Sequence, residues 1–178
     1  MAAVQGRAAK IRLAGFDVDG VLTDGSLCLG DSGEEYKVFH TRDGQGLVML
    51  RECGIGIAII SGRSSRAVEE RMVQLGIIHI YQGQENKLAV FETLLATLGL
   101  EPSEVAYVGD DLPDLPVMRR VGLAIAVADA HPLVQQHAHW QTRLPGGRGA
   151  VREVCELLLE AQGVLGRCYA QYLEDPFH

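Results

Sequence analysis

Two features of the sequence predict an α/β fold, a three-layer, Rossmann-like arrangement with a mostly parallel sheet. Short apolar runs alternate with longer amphipathic segments, and clusters of polar and charged residues follow the ends of three of those runs. Buried parallel strands read as short, continuous apolar runs, and the helices joining them pack on both faces of the sheet. The chain has 178 residues, 47% hydrophobic and 22% charged, which suits one globular domain with a full core.

In chain order, the predicted strands are Ile11–Phe16, Ile55–Ile60, Ile77–Tyr81, Val105–Val108 and Leu123–Val127, with a weaker one at His139–Arg143. Helical periodicity covers Gly46–Arg51, Ser65–Leu75, Lys87–Leu98, Pro113–Arg120 and Ala150–Gln162. One segment breaks the alternation. Ser26–Phe39 holds two strand-like arms, Leu27–Leu29 and Tyr36–Phe39, around Gly30-Asp31-Ser32-Gly33, which is hairpin-turn chemistry. It is expected to project from just after the first strand. The domain is expected to span residues 1–163, with 164–178 a weakly periodic, mobile tail.

The bulk properties exclude several classes of partner. The formal net charge is −7 with no Lys/Arg cluster, so nucleic-acid binding is not expected. No apolar run approaches the roughly 20 residues of a membrane span, and Met1–Lys10 leads into no signal-type apolar core, so a cytoplasmic protein with no membrane partner is expected. Cys28, Cys53, Cys155 and Cys168 lie far apart in sequence without zinc-type spacing and read as free thiols. His131, His137 and His139 read as surface or loop residues.

Ligands of open parallel sheets bind beyond the carboxyl ends of the strands. The first strand runs into Asp17-Val18-Asp19-Gly20-Val21-Leu22-Thr23, the second into Ser61-Gly62-Arg63, and the fourth into Gly109-Asp110-Asp111-Leu112-Pro113-Asp114. Five carboxylates and one hydroxyl are thus directed to one edge. Crowded carboxylates resist ionisation unless a cation sits among them, and an all-oxygen donor set favours Mg²⁺. In such a site Asp17 can attack phosphorus as a carboxylate nucleophile, and Asp19 can exchange a proton with the leaving group and with water. Ser61 and Lys87 can hold the transferring phosphoryl group, and Gly20 lets the chain turn closely past it. A calcium loop of EF-hand type is excluded, because its required Gly and Glu positions are occupied by Leu22 and Cys28. Each of these short motifs alone is compatible with a plain turn; their order and placement together mark a site.

These residues resemble the four motifs of the haloacid dehalogenase superfamily of phosphatases: Asp17–Thr23 the first, Ser61 the second, Lys87 the third and Gly109–Asp114 the fourth. The resemblance implies that Asp17, the backbone carbonyl of Asp19 and Asp110 hold Mg²⁺, with Asp111 and Asp114 supporting the metal and Lys87. A closer likeness rests on Asp43-Gly44, on Tyr81-Gln82-Gly83-Gln84-Glu85-Asn86-Lys87, on Ala126–Pro132 and on Gly146–Val154. It is to the capless, tetrameric members that act on the 8-phosphate of 3-deoxy-D-manno-octulosonate in the route to lipopolysaccharide. A phosphorylated acid sugar is then the expected small-molecule partner, a homo-oligomer the expected assembly, and Arg63 and Arg71 the expected carboxylate-binding residues. Relatives acting on nine-carbon acid sugars, such as N-acylneuraminate 9-phosphate, tend to carry an acidic residue where this chain has Arg63. A phosphatase of that kind and a non-catalytic assembly domain of the same fold are the alternatives, and intact Asp17, Asp19, Lys87 and Asp110 weigh against the second.

Overall fold

A computed structural model of the chain describes residues 1–173. Helix α1 (Ala2–Ala8) leads into strand β1 (Leu13–Phe16), followed by the two-stranded ribbon β2 (Cys28–Leu29) and β3 (Glu35–Tyr36). Then come α2 (Thr41–Glu52), β4 (Gly56–Ile60), α3 (Arg66–Gln74), β5 (His79–Tyr81), α4 (Lys87–Leu98) and β6 (Val105–Gly109). The chain continues through α5 (Leu115–Met118), β7 (Leu123–Ala126), α6 (Pro132–His137), β8 (Trp140–Gln141), α7 (Ala150–Ala161) and α8 (Leu165–Ala170).

The main sheet has six strands in the order β5-β4-β1-β6-β7-β8, and every pairing is parallel. From β1 the chain moves outward to β4 and β5, then returns beside β1 to build β6, β7 and β8 in the other direction. That reversal leaves a crevice beyond the ends of β1 and β6, where loops from the two strands diverge. Residues Leu13–Phe16, Val105–Gly109 and Leu123–Ala126 are buried throughout, as strands covered on both faces must be. Helices α1, α2, α7 and α8 pack together as one layer, and α4, α5 and α6 as another.

Several expectations are corrected in detail. Helix α2 begins at Thr41 rather than Gly46: Gly44 and Gly46 weaken its local signal, but Asp43, Gly44, Gly46, Leu47 and Leu50 are all buried by tertiary packing. The helix expected over Pro113–Arg120 is divided into a 3₁₀ turn at Leu112–Asp114 and the short α5, since Pro113 and Pro116 lack the amide hydrogens a continuous helix uses. Strand β8 covers only Trp140–Gln141. Short helices α1 and α6 were not expected; α1 is held by buried Val4 and Ala8, and the N-cap of α6 is His131, whose Nδ1 accepts from the Leu133 N–H at 3.1 Å.

The tail expected to be mobile is a helix over Leu165–Ala170, with Cys168 buried and the Tyr169 hydroxyl donating to Glu156 at 2.7 Å. Residues 174–178, the remainder of that expectation, lie outside the described residues. Sequence distance also concealed one thiol contact: the Sγ atoms of Cys53 and Cys168 are 2.9 Å apart. Among the described residues no helix is long and apolar enough to cross a membrane.

The ribbon is shorter than its expected arms, pairing only Cys28 with Tyr36 and Leu29 with Glu35. Among the described residues it is the only sheet structure between β1 and α2, and no cap domain is inserted there. Packing elsewhere is close enough to be tested by a single methyl group. A Cβ on Gly122 would stand 2.2 Å from the Ser103 carbonyl oxygen, a backbone atom that cannot swing aside. Gly122→Ala is expected to destabilise the fold by about 1–3 kcal/mol, lowering the midpoint in a thermal melt by roughly 2–4 °C per kcal/mol.

Candidate active site

Asp17 follows directly on β1 and Asp110 directly on β6, so the parallel pairing of these strands brings both to one edge. Asp114 arrives from the 3₁₀ turn beyond Asp110 and is wholly buried. One carboxylate oxygen from each of Asp17, Asp110 and Asp114 lies within 4.8 Å of the others. Lys87, the first residue of α4, has its Nζ 2.8 Å from Asp17 Oδ1 and 2.8 Å from Asp114 Oδ1. A cation in the first turn of a helix is unfavourable with respect to the helix dipole. Here α4 tolerates one because Asn86 caps it, accepting from the Ala89 N–H at 3.2 Å, and two carboxylates receive the ammonium.

The three carboxylates have different duties. Asp114 accepts from Lys87 Nζ and, at 3.0 Å, from the buried Tyr107 hydroxyl through Oδ1. Its Oδ2 accepts from the Asp110 and Asp111 N–H groups at 3.0 and 3.4 Å. With both oxygens committed, it braces Lys87 and the Asp110 turn. Asp110 Oδ1, by contrast, is buried and has no hydrogen-bond partner. Gly20 explains how that carboxylate meets the first loop: its φ is +92°, and a Cβ would lie 2.0 Å from Asp110 Oδ2. Asp111 is exposed and contributes its backbone N–H to Asp114.

Three carboxylates face one ammonium, and the imbalance appears in their proton affinities. Burial, then the neighbouring charge of Asp114, pushes Asp17 up to about 6 despite Lys87. Burial, then Asp114 and Asp17, pushes Asp110 up to about 8. For Lys87 burial acts downward, but Asp114 and Asp17 outweigh it and hold the ammonium above its ordinary range. An orphaned carboxylate oxygen in an anionic, all-oxygen pocket fits a hard divalent cation such as Mg²⁺.

Asp19 belongs to a second group. Its Oδ1 is ion-paired with Lys37, and its Oδ2 lies 3.8 Å from Arg63 Nε. Lys37 also reaches Glu35 at 3.1 Å, and Arg63 reaches Glu35 at 3.0 Å. Sequence reasoning singled out neither Lys37 nor Glu35. Period-two alternation was the available signal, because Tyr36 and Val38 between and beyond them are 57% and 73% exposed whereas the Lys37 side chain is 2% exposed. Tyr107 lies within a predicted strand, and its sequence position carries no sign of the hydroxyl's contact with Asp114.

The buried Ser61 hydroxyl follows β4 and accepts from the Arg63 N–H at 3.2 Å. The structure therefore unites Asp17, Lys87, Asp110 and Asp114, and places Arg63 beside Asp19. Arg71 is not joined to either group by an ion pair among the described residues. Its guanidinium lies against Gly44 of α2 and meets Gln74 at 3.5 Å.

A carboxylate at the end of the central strand, a buried lysine and two further carboxylates gathered around it form an anionic crevice of the kind found in metal-dependent hydrolases. The comparisons place it more narrowly. A family model described as haloacid dehalogenase-like hydrolase matches residues 72–151. The chain is 55% identical over 165 residues to the 3-deoxy-D-manno-octulosonate 8-phosphate phosphatase of Escherichia coli K12, covering 93% of this chain and 88% of that protein. The solved Yersinia pestis enzyme of the same name superposes with a TM-score of 0.91 at 55% identity, covering 92% of this chain and 89% of the other. That from Moraxella catarrhalis, in complex with magnesium ion, phosphate ion and KDO, gives 0.95 at 44% identity, covering 97% and 99%. The chain belongs to the haloacid dehalogenase-like hydrolases, in the family of the 3-deoxy-D-manno-octulosonate 8-phosphate phosphatases.

The raised carboxyl groups give a pH test with a definite sign. Both bind protons more tightly folded than unfolded, so in metal-free protein their contribution is fully present below the ordinary value of 3.8 and is lost as pH rises through about 6 for Asp17 and about 8 for Asp110. In excess chelator the thermal midpoint is expected to fall between about pH 4 and about pH 8 through these groups. Asp110→Asn is expected to lessen that fall and to melt above wild type at the alkaline end. Saturating Mg²⁺ should reverse the order of the two proteins.

Proposed function

We propose that this chain is a Mg²⁺-dependent phosphatase that converts 3-deoxy-D-manno-octulosonate 8-phosphate to the free acid sugar and phosphate. The observation that carries this reading is the Asp17, Lys87, Asp110, Asp114 constellation in a chain 55% identical, over 93% of its length, to an enzyme named for that reaction. The oxygen of Asp17 attacks phosphorus, the phosphorus–O8 bond breaks, and the departing sugar alkoxide takes a proton from Asp19. The aspartyl-phosphate on Asp17 is then opened by water, whose proton returns to Asp19 as it attacks phosphorus and frees phosphate.

Lys87 and the Ser61 hydroxyl hold the phosphoryl oxygens, over which negative charge is spread in the transition state. Asp17, Asp110 and the Asp19 carbonyl would hold Mg²⁺, with Asp111 and Asp114 supporting that arrangement. When bound, the ion neutralises the carboxylates and polarises a phosphoryl oxygen. Arg63, beside Asp19, and Arg71, against α2, are the residues proposed to recognise the sugar carboxylate.

The enzyme is proposed to work in the cytoplasm as a homotetramer. Leu27, Leu29, Tyr36 and Val38 on the ribbon are 54%, 67%, 57% and 73% exposed, and a two-stranded ribbon alone is marginal in water. Ribbons from several copies pairing together would bury this surface and let a neighbouring subunit roof each site.

Three measurements test this reading. A panel of phosphorylated acid sugars ranked by kcat/KM should place the octulosonate 8-phosphate first, and Asp17→Asn should lower its turnover by at least about 10³-fold; wild-type turnover in that variant would refute the mechanism. Arg63→Ala and Arg71→Ala should raise KM for the acid sugar far more than for a neutral phosphate ester. Sedimentation should give several times the 19.3 kDa chain mass, and a fully active monomer would overturn the proposed assembly.

A further inference from the structure

Asp43 has no part in this chemistry, yet it is a charged residue only 1% exposed. It lies in the first turn of α2, and its oxygens accept from the Gly149 N–H at 3.1 Å and the Arg152 N–H at 2.8 Å. Those donors open α7. That helix has Gly149 at its N-cap, with φ 114°, so no side chain of its own can receive the amides of its first turn. Asp43 is the missing cap, supplied by another helix 106 residues away in sequence. A carboxylate there also faces the positive end of the α7 dipole.

The capped helix start carries Gly146–Gly149, and this turn is wedged against the Gly20–Asp24 loop. The Gly147 N–H donates to the Val21 carbonyl at 2.8 Å. A Cβ on Gly146 would lie 1.7 Å from the Gly20 carbonyl oxygen, and one on Gly147 would lie 2.4 Å from the Asp24 nitrogen. Two further ties fix the turn: Gly146 N–H to Asp129 Oδ1 at 2.9 Å, and Arg148 to Asp24 at 3.0 Å. Gly20 in turn abuts the Asp110 carboxylate. Contacts therefore run without a gap from Asp43, through the start of α7 and the two glycines, to the loop between Asp17 and Asp110.

We propose that Asp43 is a positioning residue for the phosphoryl-transfer site: by fixing the start of α7 it sets, through Gly146 and Gly147, the backbone of the Gly20–Thr23 loop. This rests on the proposed function, because the loop matters only if Asp17, the Asp19 carbonyl and Asp110 perform the reaction. Displacement of about 1 Å in such a loop can lower turnover roughly 10²-fold without touching the substrate.

The test uses the full chain, with p-nitrophenyl phosphate and the octulosonate 8-phosphate as parallel substrates, Mg²⁺ affinity by calorimetry, and amide exchange of the 17–25 segment. Asp43→Ala is expected to lower kcat and to weaken Mg²⁺ binding, each by roughly 10–100-fold, as loss of a supporting contact behind metal ligands does. KM should stay near wild type for both substrates. The Val21, Leu22 and Thr23 amides, which bond the Val18 carbonyl, should exchange faster. Asp43→Asn, which keeps one of the two acceptors but sets an NH2 group against the other amide, should recover only part of the loss, and Gly147→Ala should reproduce it from the other end. A folded Asp43→Ala with wild-type kcat, Mg²⁺ affinity and exchange would overturn the proposal, even if it melts earlier. Should that variant fail to fold, wild-type kcat and Mg²⁺ affinity in Gly147→Ala would overturn it equally. Failure of the wild type on the acid sugar alone would fault the substrate reading and leave the p-nitrophenyl phosphate comparison intact.

Discussion

Like charges forced together out of water are the constraint to which the other features of this molecule answer. Asp17, Asp110 and Asp114 meet at the end of the central strands with only Lys87 to offset them. A protein selected for stability alone would replace such a group with apolar residues, since a buried ion cluster is seldom a net gain. Here the surroundings are arranged to retain it. The Tyr107 hydroxyl and two backbone amides satisfy Asp114, α4 begins where its first side chain can reach two anions, and Gly20 brings the loop backbone against Asp110. The remaining negative charge is an affinity for cations, stored in the fold.

The edge has two compartments with different exposure. The inner one, around Asp17 and Lys87, is nearly dry, and electrostatic interactions there are strong. The outer one couples Asp19 to Lys37, Glu35 and Arg63, and the Arg63 side chain is 49% exposed. This division suits a reaction in which phosphorus is held by fixed charges while protons and a polar sugar come and go. The ribbon, which looks like a surface appendage, supplies two of the four outer residues.

Legibility in the sequence followed the range of the contacts. Asp17, Ser61, Asp110 and Asp114 could be placed because each follows an apolar run, and parallel pairing must align the ends of such runs. Lys87 could be placed from the Asn86-Lys87 helix start once the motif order was seen. Lys37 and Glu35 could not, since their inward face depends on how the ribbon lies over Asp19, and Tyr107 looked like any other strand residue. Arg63 lies beside Asp19, whereas Arg71 lies at the α2–α3 contact. The start of α2 was obscured by glycines that are poor helix formers locally and are required by packing, whereas α7 begins at Ala150 as expected. Helix α8 was hidden for the opposite reason: its periodicity is weak, and it is held by the contact of Cys168 with Cys53, 115 positions back, and by that of Tyr169 with Glu156 on α7.

The Arg148–Asp24 pair joins residues 124 positions apart, in the same contact that places the glycine turn against the first loop. During synthesis at roughly 5–20 residues per second, Asp24 would leave the ribosome some 6–25 s ahead of Arg148. In that interval Lys87, Asp110 and Asp114 are added, before the glycine turn that packs against the first loop exists. Competence is thus acquired late and all together, when the last long helix docks, so an unfinished chain has an aspartate at the right place in sequence but no means of holding a phosphate ester against it.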